Sequence, residues 1–238
     1  MQTGRSIVHL LLWFTLSVNP TFLQAQRGTA VQDSSNPFRP GRFALVTGGQ
    51  AMVATGTLIG LNELWYKDYP RPRFHFFNDN AEWLGMDKAG HAYTAYQTSH
   101  LGYALLRWSG VTERKAAWYS CLTGLGYQLI VEVLDGFSDQ WGFSPGDLAA
   151  NLAGAALFTS QQVLWKDQKI LLKYSFHLSE YARYRPALLG RTFPERILKD
   201  YNGQTYWLST NIKSFLNKES KFPSWLNMAV GIGAEGMV

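Results

Sequence analysis

Four stretches of this 238-residue chain contain no Asp, Glu, Lys or Arg: residues 44–62, 89–106, 116–131 and 148–165. At about 1.5 Å of rise and 3.6 residues per turn, each is long enough for four or five turns of α-helix. Each is rich in Gly, Ala, Ser and Thr, small residues that let helix backbones approach closely. Gly56 with Gly60 and Ala150 with Gly154 repeat this at spacing four, which is one face of a helix. The pattern predicts a mainly α fold, a four-helix up-down bundle over residues 43–166, with a C-terminal extension over 167–238.

The segments lie near the lower length limit for crossing a bilayer, roughly 17 apolar residues. Gln50, Gln97, His100, Gln128, Gln161 and Gln162 dilute them. Arg71 and Arg73 fall in one connection, and Arg107, Arg114 and Lys115 in the next, which faces the opposite side. Basic residues therefore choose no cytoplasmic side. The nine tryptophans suit membrane interfaces and ordinary cores alike, and the expectation is a bundle embedded in or associated with a membrane, slightly ahead of a soluble periplasmic one.

The start, "MQTGRSIVHLLLWFTLSVNPTFLQAQ", has one early arginine, a short apolar run, Pro20 and a small residue, Ala25, before Gln26. That layout predicts a secretory signal peptide over 1–26, because the run is too short for a stable anchor. Residues 27–42, polar and containing Pro37 and Pro40, read as a flexible arm. In the extension, "KILLKYSFHLS" (169–179) and "QTYWLSTNI" (204–212) predict short strands, the second following the turn signal "DYNG". The closing "WLNMAVGIGAEGMV" has no polar tail, the pattern expected of a chain that continues beyond Val238. The net charge of +5 comes from scattered basic residues, so a membrane or membrane surface is the expected partner and nucleic acid is not. Protein partners stay open. The only cysteine, Cys121, sits in an apolar run, which leaves no internal disulfide and predicts a small core residue.

The stretch "GMDKAGHAYTAY" (85–96) places an acid, a lysine and a histidine at the mouth of a charge-free segment. In an up-down bundle with short connections, Asp87, Lys88 and His91 open the second helix, Glu132 and Asp135 close the third, and Asp147 and Asn151 open the fourth. These ends meet at one end of the bundle, joined by Asn62 and Glu63 from the end of the first helix. Asp87 with His91, Asp147 with Asn151, and Glu132 with Asp135 are spaced four, four and three apart, so each pair shares a helical face. The connection 136–146, with Trp141 and Ser144, would lie over them as a lid. Carboxylates and an imidazole converging from separate helices can hold a metal or orient a general base. We therefore take His91, Glu132, Asp135 and Asp147 as candidate catalytic residues and as candidate ligands of a divalent metal cofactor. Asp87, Lys88, Trp141, Ser144 and Asn151 are candidate binding residues.

A purely structural reading competes. Asp87 is placed to cap the second helix, and "SPGD" (144–147) matches a capping box with Pro145 at the first helical position. Lys88 would neutralise Glu132, whose unpaired charge after a sixteen-residue uncharged run is costly to bury.

The order "DKAGH", "GVTERKAA", "EVLDGFSDQWGFSPGDLAANLAGA" resembles the YfiM-like family of predicted periplasmic lipoproteins, a domain of unknown function. The resemblance covers residues 85–158 and carries Asp87, Lys88, His91, Glu132, Asp135, Trp141, Ser144, Asp147 and Gly154. It departs at the missing lipid-accepting cysteine near the processing point. A looser similarity runs to VanZ-like membrane proteins, through the early acid and histidine, the later Glu and Asp, and Asn151 with Gly154, and it implies a four-helix membrane module. The expected protein is an exported component of the bacterial cell envelope, whose cluster either acts on a lipid or cell-wall precursor or serves as an ion-pair and capping network in a scaffolding protein.

Overall fold

The computed structural model describes residues 11–13, 37–67, 69–217 and 219–237. The predicted signal peptide and most of the arm lie outside the described residues, apart from a three-residue strand, β1 (Leu11–Trp13). Four long helices follow: α1 (Pro40–Leu61), α2 (Met86–Trp108), α3 (Glu113–Gly136) and α4 (Pro145–Trp165). Their limits follow from local chemistry. Pro40 and Pro145 stand in the first turns of α1 and α4, where a missing N–H costs nothing. Gly85 turns into α2 with a left-handed φ of 76°, a conformation glycine adopts without strain.

α2, α3 and α4 form the packed centre of the bundle. Gly154 lets α4 sit directly on the backbone of Ala92. Gly124 lets α3 approach Ala95 and Ser99 of α2. Tyr96 and Phe158 are fully buried between them. α1 is peripheral: it buries Val46 against Leu106, Val111 and Ala116, and Arg42 lies over the Trp108 ring at 4.5 Å. Gly56 and Gly60 face open space, so the close helix contact expected there does not form. Val46, in the first half of α1, is its buried residue, and a small residue brings nothing closer where no partner stands.

The loops 70–80 and 136–146 are joined by backbone bonds, His75 N–H to Gly136 O (2.9 Å) and reciprocal bonds between Phe77, Phe143 and His75 (3.0 Å each). Rings of Phe74, Phe76, Phe137 and Phe143 pack along this seam, edge to face except for the tilted pair Phe74 and Phe143. The pair of loops closes the end of the bundle where α2 and α4 begin.

The extension adds β2 (Ile170–Phe176), two short helices α5 (Pro186–Leu189) and α6 (Phe193–Lys199), β3 (Gln204–Asn211) and β4 (Asn227–Gly233). The antiparallel sheet has the order β1-β4-β3-β2. The strands expected within 169–179 and 204–212 form, and β4 arises from the apolar C-terminal run. The sheet packs on α2, where Gln97 donates to Leu172 O (2.7 Å) and the rings of Tyr93, Tyr174 and Tyr206 cluster. That packing places the turn Tyr201–Gly203 beside the first turn of α2.

Candidate functional site

The start of α2, the end of α3 and the start of α4 do converge. Lys88 is the centre of their ionic contacts. Its ammonium lies 2.6 Å from Asp79 Oδ1, 2.7 Å from Asp147 Oδ1 and 3.3 Å from Asp87 Oδ2. It thus pairs with three aspartates and not with Glu132, its expected partner. Asp79 comes from the loop 70–80, which local spacing could not bring to the site.

Ser144 is the N-cap of α4, and its hydroxyl accepts from the Asp147 N–H (3.1 Å) while donating to Asp79 Oδ1 (2.6 Å). The reciprocal half of a capping box would bond the Asp147 carboxylate to the Ser144 N–H. Glu132 Oε2 takes that N–H instead (3.3 Å). Asp147 is thereby released from capping to meet Lys88. Asp87 is no cap either: Gly85 occupies the cap position of α2, and Asp87 Oδ1 accepts from the hydroxyl of Tyr201 (2.7 Å).

His91 has two unlike sides. Its Nδ1 stands 3.2 Å from Asn151 Oδ1, 3.3 Å from Gln128 Nε2 and 3.4 Å from Glu132 Oε1. Gln128 already donates to Asn151 Oδ1 (2.8 Å). Nε2 faces Asp87 Oδ1 at 3.8 Å and Asp147 Oδ2 at 3.9 Å, beyond hydrogen-bond reach.

Asp135 lies one turn beyond Glu132, at the end of α3, and accepts from the hydroxyl of Tyr66 (2.7 Å). Tyr66 belongs to the turn Asn62–Tyr66 that ends α1. Asn62 and Glu63, expected at the cluster, point elsewhere: Asn62 accepts from Arg71 and Glu63 pairs with the exposed Lys67. Trp141 packs edge to face on Tyr66 and Tyr69, and its carbonyl meets His75 Nε2 at 2.8 Å. Tyrosines, not this tryptophan, bond the acids. Tyr66, Asp79, Gln128 and Tyr201 are the site residues that sequence reasoning did not select. A buried carboxyl with no local donor is the one signal that calls for such partners.

Burial raises three carboxyls that flank the charge-free spans. Glu132 is pushed up to about 7, where Asp147 and Asp135 add to the rise against the pull of His91. Asp135 is pushed up to about 7 despite its bond from Tyr66. Asp147 is pushed up to about 6, with His91 and Lys88 opposing the burial. Burial also works on Asp79 and Lys88, but the Lys88 and Ser144 bonds win at Asp79 and hold it below its ordinary value. The Asp147 and Asp79 bonds likewise hold Lys88 above its own. Near neutral pH the cluster thus has carboxyls able both to donate and to accept a proton, which is what acid–base chemistry requires.

Fold and site together define a helical-bundle protein with a half-buried acid/histidine centre at one end. Residues 75–161 match the family described as "Predicted periplasmic lipoprotein (DUF2279)". The matched segment runs from the loop carrying Asp79 into the last turns of α4 and leaves out Tyr66 and Tyr201. The description agrees with the cell-envelope location expected from the sequence. Cys121 is buried within α3. Neither a curated protein nor a solved structure matches the chain.

Proposed function

We propose that the protein sits in a membrane of the cell envelope through α1, α3 and α4, and that the cluster acts on the polar end of an amphiphilic substrate, a lipid or cell-wall precursor, at the membrane surface. The observation that carries this reading is the reversed polarity of the bundle. Ser99, Ser120, Gln128, Glu132, Asn151 and Gln162 are buried, while Met52, Leu122, Ile130, Leu152 and Leu164 are exposed. A bundle in water would do the opposite. α1 is long and apolar enough to cross a membrane by length and composition, and almost none of it is buried. One such helix is weak support by itself, but the charge-free spans of α1, α3 and α4 run about 24–28 Å at 1.5 Å per residue, close to a hydrocarbon core of about 30 Å. Exposed Trp108 and Trp165 lie at one end of the bundle and exposed Tyr69 and Phe76 at the other, as aromatic belts do. The cluster then falls at the level of the head groups.

Carbonate extraction of membranes tests the placement: the chain stays in the pellet, and its release into the soluble fraction refutes embedding. A second reading is favoured by the position of Lys88 among Asp79, Asp87 and Asp147. In it the cluster is an ion-pair network of a scaffolding protein. The two separate in a deletion strain: if Glu132→Gln and His91→Ala fold and complement fully, chemistry at the cluster is out.

A further inference from the structure

The cluster holds more acid than its cations balance. Asp79, Asp87, Glu132, Asp135 and Asp147 surround one lysine and one histidine. Lys88 takes one oxygen of Asp87 and one of Asp147, and this turns the other oxygen of each toward His91 Nε2. One atom each from Asp87, His91 and Asp147 lies within 4.8 Å of the others. Nε2 stands 3.8 and 3.9 Å from the two carboxylate oxygens, too far for hydrogen bonds. Donors about 2.1 Å from a shared tetrahedral ion stand about 3.4 Å apart, so the two pairs with His91 are within a few tenths of an ångström of that spacing, and the two carboxylate oxygens lie within 4.8 Å of each other.

The other side of the ring supplies an independent sign. Glu132 has a side chain only 1% exposed, its Oε1 has no hydrogen-bond partner among the described residues, and that atom stands 3.4 Å from His91 Nδ1. Asn151 Oδ1 waits on the same nitrogen at 3.2 Å. Both acceptors are met if Nδ1 carries the proton, and the lone pair of Nε2 then points between two carboxylates. That arrangement is repulsive unless Nε2 takes a second proton or a metal cation stands there, and the two carboxylate oxygens at 3.8 and 3.9 Å leave room for the larger of the two. A histidine whose second nitrogen is held by a carboxylate or amide oxygen is how proteins orient a metal ligand.

We propose that Asp87 Oδ1, His91 Nε2 and Asp147 Oδ2 bind a divalent transition-metal ion, Zn²⁺ or Mn²⁺, with Glu132 and Asn151 fixing the imidazole and Tyr201 fixing Asp87. One imidazole with two carboxylates suits these ions better than a thiolate-seeking one. Three protein ligands leave a coordination position for a substrate oxygen or water. This deepens the proposed action on a polar head group: the ion would bind an oxygen of that group, and Lys88 would stand beside it. Asp135, whose carboxylate accepts from Tyr66, takes no part in the set.

The test uses the full chain in detergent, stripped with chelator and titrated with Zn²⁺ or Mn²⁺ alone. One equivalent binds, the melting temperature rises with metal, and the Mn²⁺ resonance shows nitrogen coupling from one imidazole. His91→Ala and Asp87→Asn abolish binding; Glu132→Gln and Tyr201→Phe, milder at the fold, keep one site but weaken it about 10–100-fold. Absence of binding and of any melting shift at millimolar metal overturns the proposal and leaves an imidazolium network. Binding that survives His91→Ala also overturns it, because the ion is then elsewhere. Carbonate extraction reads membrane placement separately, so either idea can fail without the other.

Discussion

Gly154→Ala should strain the joint between α2 and α4 on which the cluster depends. A Cβ at position 154 would run into the carbonyl oxygen of Ala92, with the Ala92 carbonyl carbon and Cα at 2.7 and 2.9 Å. Carbon atoms in ordinary contact stand about 3.5–4.0 Å apart, so the helices must part by about 1 Å. All three atoms are backbone, so no side chain can swing away. Overpacking of this kind costs roughly 1–3 kcal/mol. For a chain of this length, roughly 2–4 °C per kcal/mol puts the loss near 2–12 °C in melting temperature. Gly126→Ala is the control: Gly126 also lies within a helix, but a Cβ there meets nothing within 4 Å. Replacing such a glycine gains about 0.4–1 kcal/mol through the unfolded chain and helix propensity. Circular dichroism melting of both variants in one detergent should show opposite signs. Equal stability would refute the close approach of α4 to Ala92.

Lys88→Met leaves Asp79, Asp87 and Asp147 facing one another and should cost roughly 3 kcal/mol or more in chemical denaturation, with Lys88→Arg recovering part of it; an unchanged midpoint would sink the ionic account of the site. Tyr66→Phe removes the hydroxyl that donates to Asp135 Oδ1 and should cost about 1–3 kcal/mol in the same measurement. Leu122→Gln and Leu164→Gln alter exposed positions, so melting in detergent should move by no more than about 0.5 kcal/mol, whereas retention in carbonate-washed membranes should fall. Retention equal to the parent protein would count against a lipid contact at α3 and α4.

Helix periodicity is local, and what rests on it was legible in the chain. The absence of charge over four stretches marked α1 to α4, and the spacings of Asp87 with His91 and Asp147 with Asn151 marked the faces that converge. Ser144 with Pro145 marked the start of α4. Covalent neighbours decide such features, because a turn of helix joins residues three and four apart. The capping half that Asp147 gives up was not legible, since Glu132, twelve residues before Ser144, takes it.

Everything that completes the cluster depends on long-range packing. Asp79 arrives with the loop seam, Tyr66 with the turn after α1, and Tyr201 from 114 residues beyond Asp87 because the sheet lies on α2. No spacing rule links such positions; burial of acids that need donors selects them only once the backbone is in place. The amino-acid order by itself determined which helices form, where charge is permitted and which helix ends carry the acids. Only the tertiary structure decided which acid meets Lys88, which oxygen turns toward His91 and how far α1 stays from the core, because those outcomes depend on distances of a few ångströms between segments that the chain order leaves independent.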